Sequence, residues 1–356
     1  MKVAIVLSSN YYKSNSWIYT FILKNENIDF KIITWNRVGI DEKDVIAFNF
    51  NESEDKGYFK RYLSYVKYRD FVVNELDKNV YDRVIVSTIA IGIILLPYLL
   101  EKYKRKYIFD IRDRSIVAEI FKNRFKSLIF YSFETVISSE GFKKWMPKNI
   151  SYKLSHNFPY EHFNFKKRHI DFRDRINGST QVKLTTIGSL RDYDVNSYLI
   201  NQFKNKISFY LSFVGEGPAS ERLKEFAQKA NVSNIEFAGR FQQGDEKELL
   251  KDSTILNLLT SNDLNSLTLT TNRFYLSALL GIPMLVYSDT FQGKLCRRYK
   301  LGCVVDRDSN IYDKLFIYIC SFNFEEFKNG CISFLNIVHD DTCKLEDCMK
   351  DFVNIR

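Results

Sequence analysis

The residues best suited to chemistry in this sequence follow short apolar runs, where strands of a parallel sheet would end. Gly188 and Arg191 follow the run KLTTI at 183–187, and the segment FVGEGP at 213–218 places Glu216 between two glycines. Glycine lets the backbone approach a ligand closely, and arginine can bind a phosphate through two parallel hydrogen bonds. Both segments therefore predict a phosphate- or sugar-binding site. The alternative is a pair of tight turns with a solvated arginine.

A second candidate site lies at the start of a predicted helix, in the segment TTNRFYLSALLGIPMLV at 270–286. Thr271 and Asn272 are residue types that commonly cap helix N-termini. The free amides and the dipole of such a helix start favour an anion such as a diphosphate, and Asn272 and Arg273 can add side-chain donors. Gly281 is expected to end this helix.

Two aspartates are candidates for proton transfer or for binding a sugar hydroxyl. Asp110 ends the apolar run KYIFD at 106–110, and Asp113 follows three residues later. Carboxylates accept hydrogen bonds and can act as general bases. The alternative is a loop in which Asp113 pairs with Arg112 or Arg114.

Several site types are disfavoured by what the sequence lacks. It contains neither a glycine-rich dinucleotide fingerprint nor a P-loop. All six cysteines lie in the last quarter without a Cys-x-x-Cys pair, and only four histidines occur, so no metal site is expected. The segment MKVAIVLSSN has no apolar signal core. We therefore expect a cytoplasmic protein with free thiols.

Alternating strand-like and helical segments must position these residues, and they predict an α/β fold with two doubly wound sheets. The chain of 356 residues exceeds one ordinary core. A charged segment without periodicity interrupts the pattern, so we predict domains at 1–165 and 182–335, a linker at 166–181 and a C-terminal helix at 336–356 that packs back on the first domain. Ligands bind beyond the carboxyl ends of such strands, so the expected site is the cleft between the domains.

The charge of the chain is concentrated in its first half. Residues 101–170 carry 16 basic and 7 acidic side chains. Such a segment fits attraction to phosphate on an anionic membrane or a nucleic acid, and a merely soluble basic face is the alternative. No zinc finger, aromatic RNA-binding motif or basic recognition helix accompanies it, so no nucleic acid partner is expected.

One apolar run, VIVSTIAIGIILLPYLL at 84–100, approaches the length of a membrane span. It contains Ser, Thr, Gly and Pro, and it begins with a strand-like segment. The run therefore predicts a buried strand followed by a buried helix, and any membrane contact is expected to be peripheral.

The order of motifs resembles the C-terminal half of GT-B glycosyltransferases, especially family 4 and its relatives in capsule, lipopolysaccharide and exopolysaccharide synthesis. The matching segments are VGEGPASERLKEFAQKA, NVSNIEFAGR, DEKELLKDSTILNLL, TTNRFYLSALLGIPMLV and YKLGCVV. The N-terminal half is similar more loosely, through SSNYYKSNSW, TWNR, YIFDIRDRS, VISSEGFKKWMP and SHNFP. The resemblance thus covers nearly the whole chain.

The resemblance implies a GT-B fold, in which two Rossmann-like domains face each other across a cleft. It implies a metal-independent, retaining transferase that moves a sugar from a nucleotide co-substrate, such as a UDP- or GDP-sugar, to a saccharide or lipid-linked saccharide at the inner membrane face. Asp110 and Asp113 would be catalytic. Substrate would be bound by Gly188, Arg191, Gly215, Glu216, Arg240, Thr271, Asn272 and Arg273.

The sequence departs from the family pattern at two places. Many members carry a Glu-x7-Glu pair that holds the nucleotide ribose, but the corresponding positions here are Thr268 and Leu276. The usual lysine after the first strand of the second domain is also missing, and Asp192 lies in that turn. Two hypotheses follow: an enzyme that contacts its nucleotide differently, or a catalytically degenerate protein that binds glycans or serves as a scaffold.

Overall fold

The strand-like runs of the sequence form two parallel sheets in the computed structural model, which describes residues 1–10, 15–37, 39–50, 58–156, 172–242 and 244–354. Contacts divide the chain into one unit of Met1–Phe163 with His339–Arg356 and a second unit of Asn164–Val338. Parts of three predicted segments lie outside the described residues: 11–14 of SSNYYKSNSW, 157–159 of SHNFP and 166–171 of the predicted linker.

The first unit contains a seven-stranded parallel sheet in the order β3-β2-β1-β4-β5-β6-β7. Its strands are β1 (Lys2–Val6), β2 (Asp29–Asn36), β3 (Val45–Asn49), β4 (Arg83–Ser87), β5 (Tyr107–Ile111), β6 (Glu134–Ile137) and β7 (Lys153–Leu154). The helices are α1 (Ser16–Lys24), α2 (Tyr58–Lys78), α3 (Ile89–Lys102), α4 (Val117–Ile120) and α5 (Lys122–Tyr131), and a 3-10 helix covers Glu140–Lys144.

The apolar run at 84–100 forms β4 and most of α3, which confirms the prediction of a buried strand followed by a buried helix. Gly92 lets α3 lie close to the sheet, because an added Cβ there would be 2.9 Å from Cε2 of Phe109. In the part of the chain that the structure describes, no helix combines the length and apolar character needed to cross a membrane.

The second unit contains a six-stranded sheet in the order β10-β9-β8-β11-β12-β13, again with all strands parallel. Its strands are β8 (Val182–Ile187), β9 (Phe209–Val214), β10 (Ile235–Gly239), β11 (Ile255–Asn257), β12 (Met284–Tyr287) and β13 (Gly302–Val305). The helices are α6 (Tyr193–Phe203), α7 (Ser220–Lys229), α8 (Glu246–Leu249), α9 (Leu264–Thr268), α10 (Asn272–Leu280), α11 (Phe291–Tyr299) and α12 (Ile311–Cys320). The predicted α/β class with two doubly wound sheets is confirmed.

A single long helix, α13 (Phe324–Asn354), ends the described chain, so it begins well before residue 336. Its last turns belong to the core of the first unit, where Phe352 is fully buried. The ring of Phe352 lies 5.2 Å from that of Phe133, and its carbonyl oxygen accepts a hydrogen bond of 2.9 Å from Nε of Arg83. The C-terminal turns of α13 thus complete the first unit.

The burial of Phe352 gives a test of this packing. Phe352→Ala should destabilise the first unit by about 3–5 kcal/mol, because it removes a buried ring and leaves a cavity. The measurement is the midpoint of urea-induced unfolding, monitored by circular dichroism. Phe316→Ala is the matched control, since Phe316 is 48% exposed on α12. Equal midpoints for the two variants would contradict the assigned packing.

Candidate functional site

Two backbone turns of the second unit approach each other at the carboxyl ends of β8 and β9. Gly188 has φ +106° and donates its N–H to the carbonyl of Val214 at 2.9 Å. Gly215 has φ +125° and donates its N–H to the carbonyl of Gly239 at 2.8 Å. An added Cβ on Gly215 would lie 2.1 Å from the Gly188 carbonyl oxygen. Only glycine fits there, because it combines positive φ with the absence of a side chain.

These turns line a cleft of about 480 Å³ within the second unit. Four of the predicted substrate-binding residues lie together in its lining, which consists of Gly188, Ser189, Gly215, Glu216, Gly217, Ser220, Glu221, Arg240 and Phe241. Nε of Arg240 donates to Oε2 of Glu216 at 2.6 Å, so the two charged side chains form an ion pair at the edge of the cleft.

The start of α10 has the backbone geometry of a capped helix, with Thr271 as its N-cap residue. The Thr271 hydroxyl does not cap the helix, however. It donates to Oε1 of the buried Gln292 at 2.8 Å, and the Thr271 N–H donates to the same oxygen at 3.0 Å. Asn272, the first helical residue, is exposed. Since first-turn amides have no partner within their helix, the start of α10 can still bind an anion.

Arg273 brings a cation from α10 to the turn after β8. Its Nη1 donates to the carbonyl of Ile187 at 3.2 Å, and its Cδ lies 3.8 Å from the place that a Cβ on Gly188 would occupy. Burial lowers the pKa of the Arg273 guanidinium, and the nearby carboxylate of Asp192 acts in the opposite direction. An arginine so placed keeps its charge at neutral pH. The site thus combines a cation with a glycine turn.

Arg191 lies exposed beside this turn, and its Nε donates to Oγ of Ser189 at 3.1 Å. Ser189 lines the cleft, so Arg191 lies next to the cleft.

The two positions that carry glutamate in many family members offer no carboxylate here. Thr268 is buried, and its hydroxyl donates to the carbonyl of Leu264 at 2.7 Å. Leu276 is a partly buried apolar side chain on α10. Among the described residues that line the cleft, the carboxylates are instead those of Glu216 and Glu221.

Asp110 lies at the end of β5 in the first unit and is completely buried. Its Oδ1 accepts from Nε1 of Trp17 at 3.0 Å, and its Oδ2 accepts from Nδ2 of Asn15 at 3.1 Å and Oγ of Ser87 at 2.8 Å. Nη1 of Arg112 lies 3.7 Å from Oδ1. These contacts indicate that Asp110 holds neighbouring strand ends in place, while its catalytic role stays a prediction.

Asp113 is exposed in the turn that follows β5. The two arginines beside it in the chain have other acidic neighbours: Arg112 pairs with Asp110, and Arg114 pairs with Glu119. Arg112 also donates to Oγ of Ser155 at 3.0 Å. The catalytic role of Asp113 stays a prediction as well.

The structure adds residues that the sequence did not single out. Gln292 accepts a hydrogen bond from Thr271, and Phe241 lines the cleft. In the first unit Thr88 has φ +80°, which is rare for a β-branched residue, and it donates its N–H to the Asp110 carbonyl at 2.9 Å. No local sequence signal marks any of these positions, because each depends on contacts between distant segments. Within the described ranges, no group of three or more His, Cys, Asp or Glu side chains could hold a metal ion.

Of the comparisons with known proteins, the one with solved structures shows the fold of the chain. No protein-family model matches the sequence, and no curated protein matches it. The structure of the lipopolysaccharide outer core galactosyltransferase WaaB in its apo form is 13% identical, with a TM-score of 0.65 and 99% of both chains covered. Sucrose-phosphate synthase from Thermosynechococcus elongatus is 9% identical, with a TM-score of 0.71 and 99% of both chains covered.

A third structure, Anabaena HepE in complex with UDP and glucose, is 10% identical with a TM-score of 0.65 and covers 99% of this chain and 100% of its own. These likenesses show the class of the protein by architecture: the chain has the GT-B fold of glycosyltransferases, with two Rossmann-like units. At such low identity the likeness extends to the fold alone.

The environment of Asp110 leads to a test of its role. Asp110→Asn replaces one acceptor oxygen by an NH₂ group that faces existing donors, so it should lower the stability of the first unit by about 1–3 kcal/mol. Asp41→Asn, in an exposed loop of the same unit, should leave stability unchanged. Thermal unfolding of both variants checks this, and an Asp110→Asn protein as stable as the parent would rule out the positioning role.

Proposed function

We propose that this protein is a glycosyltransferase that moves a sugar from a nucleoside-diphosphate sugar to a saccharide acceptor. The observation that carries the proposal is the position of Arg273, whose guanidinium lies at the Gly188 turn beside the start of α10. A cation, a glycine turn and free helix amides at one place are suited to a diphosphate.

The same groups suit the chemistry of transfer. The bond between the sugar and the diphosphate breaks with negative charge developing on the leaving phosphate. Arg273, the exposed Arg191 and the first amides of α10 can stabilise that charge without reorganising. We therefore propose a metal-independent reaction, in which these groups supply the positive charge.

The substrates are proposed by class. Structures with this fold include HepE with UDP and glucose, and a trehalose-6-phosphate protein from E. coli bound with UDP-2-fluoro glucose. For this chain we propose a UDP- or GDP-sugar as co-substrate and a saccharide or lipid-linked saccharide acceptor in surface polysaccharide assembly. The motif resemblance supports a retaining outcome.

The role of Arg273 can be tested by ligand binding and by turnover. Saturating UDP-, GDP-, dTDP- or CMP-sugars should raise the melting temperature by about 5 °C or more for the correct nucleotide. Arg273→Ala should lose most of that shift and lower kcat/KM about 100-fold or more, because leaving-group charge is no longer stabilised. Arg273→Lys should recover part of both.

The matched control is Arg298→Ala, since Arg298 is exposed on α11 and lies over the ring of Tyr299 instead of at the Gly188 turn. If no nucleotide sugar shifts the melting temperature of the unaltered protein, the transferase proposal fails in favour of the glycan-binding or scaffold hypothesis. A normal turnover rate in Arg273→Ala would remove Arg273 from the mechanism.

We propose that a surface of the first unit makes peripheral contact with an anionic membrane. On α4 and the residues next to it, Ile116, Ile120 and Phe121 are 57%, 66% and 38% exposed. The exposed cations Lys122, Arg124 and Lys126 follow at once on α5. Protruding apolar side chains next to cations fit an anionic bilayer surface. We refer to these six residues as the α4–α5 surface.

Vesicle co-sedimentation tests the α4–α5 surface. The protein should bind vesicles with about one-third anionic lipid more tightly than neutral vesicles, and Lys122→Glu with Arg124→Glu should weaken that binding about tenfold or more. The control is Lys229→Glu with Lys247→Glu, two exposed lysines of the second unit. Equal losses in both double variants would indicate general charge attraction, and the proposed surface would then be wrong.

A further inference from the structure

The carboxylate of Glu216 lines the cleft of the second unit beside Arg240, while Arg273 lies at the Gly188 turn and is not among the described residues that line the cleft. Glu216 and Arg240 form an ion pair, so neither charge acts on a ligand alone. The group of a bound nucleotide that lies against the Glu216 carboxylate must offer hydrogen-bond donors, because an ionised carboxylate only accepts.

Glu216 is held in a defined position. Arg240 donates to its Oε2 at 2.6 Å. Its Oε1 lies 3.9 Å from the place that a Cβ on Gly239 would occupy, so the glycine keeps space open beside this oxygen. Oε2 of Glu216 is thus engaged by the largely exposed Arg240, and Oε1 faces the space beside Gly239.

The spacing of the strands indicates which part of a bound nucleotide would lie next to Glu216. Gly188, Gly215 and Gly239 follow three neighbouring strands, β8, β9 and β10, and successive strands are about 4.8 Å apart. From the phosphate end at Gly188 to the end of β10 is therefore two strand spacings, roughly 10 Å. Glu216 follows the middle strand, and Phe241, two residues after the third strand, also lines the cleft.

We propose that Glu216, oriented by Arg240, accepts hydrogen bonds from the 2′- and 3′-hydroxyls of the nucleotide ribose, with Phe241 against the base. This inference rests on the proposed function. It assigns ribose recognition to the turn after β9, since Thr268 and Leu276 provide no carboxylate from the α9–α10 segment.

Calorimetric titration with ribo- and 2′-deoxyribonucleotides tests the inference. The probes are UDP with 2′-deoxy-UDP and GDP with 2′-deoxy-GDP, titrated into the full chain. The unaltered protein should bind the preferred ribonucleotide about tenfold or more tightly than its deoxy form, as expected for a hydrogen bond to a charged acceptor. Glu216→Gln should bring that ratio to about threefold or less, and Arg240→Ala should reduce it in part.

The matched control is Glu225→Gln on α7, whose carboxylate pairs with Lys229 and does not line the cleft. It should keep the discrimination of the unaltered protein. Absence of any nucleotide binding in the unaltered protein would overturn the proposed function itself. Nucleotide binding with the same ribose discrimination in Glu216→Gln would overturn only the role of Glu216. A change confined to the preference between UDP and GDP would also overturn it, since it would place the carboxylate against the base.

Discussion

The close approach of the backbone at Gly188 and Gly215 is the constraint on which the cleft of the second unit depends. Parallel pairing sets Ile187 opposite Val214, so both turns leave the sheet at the same level. A side chain at 215 would then meet the Gly188 carbonyl oxygen at 2.1 Å, and one at Gly217 would meet the Leu190 carbonyl oxygen at 2.5 Å. The two glycines of the GEG segment therefore allow the turns to pack, and Glu216 between them points its charge at the edge of the cleft.

Each unit has a charged side chain near the end of a parallel strand, Asp110 in β5 and Arg273 of α10 beside the end of β8, but the two charges are compensated differently. Asp110 accepts from three side chains and has Arg112 close by, so its charge is already satisfied inside the protein. Arg273 donates to the Ile187 carbonyl, and the nearby carboxylate of Asp192 adds a favourable field. A partly buried cation gains most from an added counter-ion when its own partners are few. This difference supports the proposed ligand-binding role of Arg273 and a positioning role for Asp110.

Most strands and helices could be predicted from the sequence, because apolar periodicity and glycine turns are local signals. Strand β3 was missed, since its residues Val45–Asn49 are only partly buried at the sheet edge and show little contrast. The partners of Asp110 were missed because Asn15 and Trp17 lie 95 and 93 residues away in the chain. The contact between these residues depends on the order of the strands in the sheet, which cannot be predicted from apolar periodicity. The same holds for Arg273, whose acceptor lies 86 residues away.

The absence of the two glutamates that the motif resemblance implies changes the charge around the proposed diphosphate site. Thr268 is neutral and its hydroxyl is used within α9, while Leu276 leaves α10 without a carboxylate at that position. The field at the start of α10 is therefore more positive than a glutamate there would allow, which favours a diphosphate. The packing of the two glycine turns is required under either hypothesis, so these turns do not separate an enzyme from a degenerate binding protein. The feature that favours the proposed nucleotide site is the cation that α10 holds against the turn after β8.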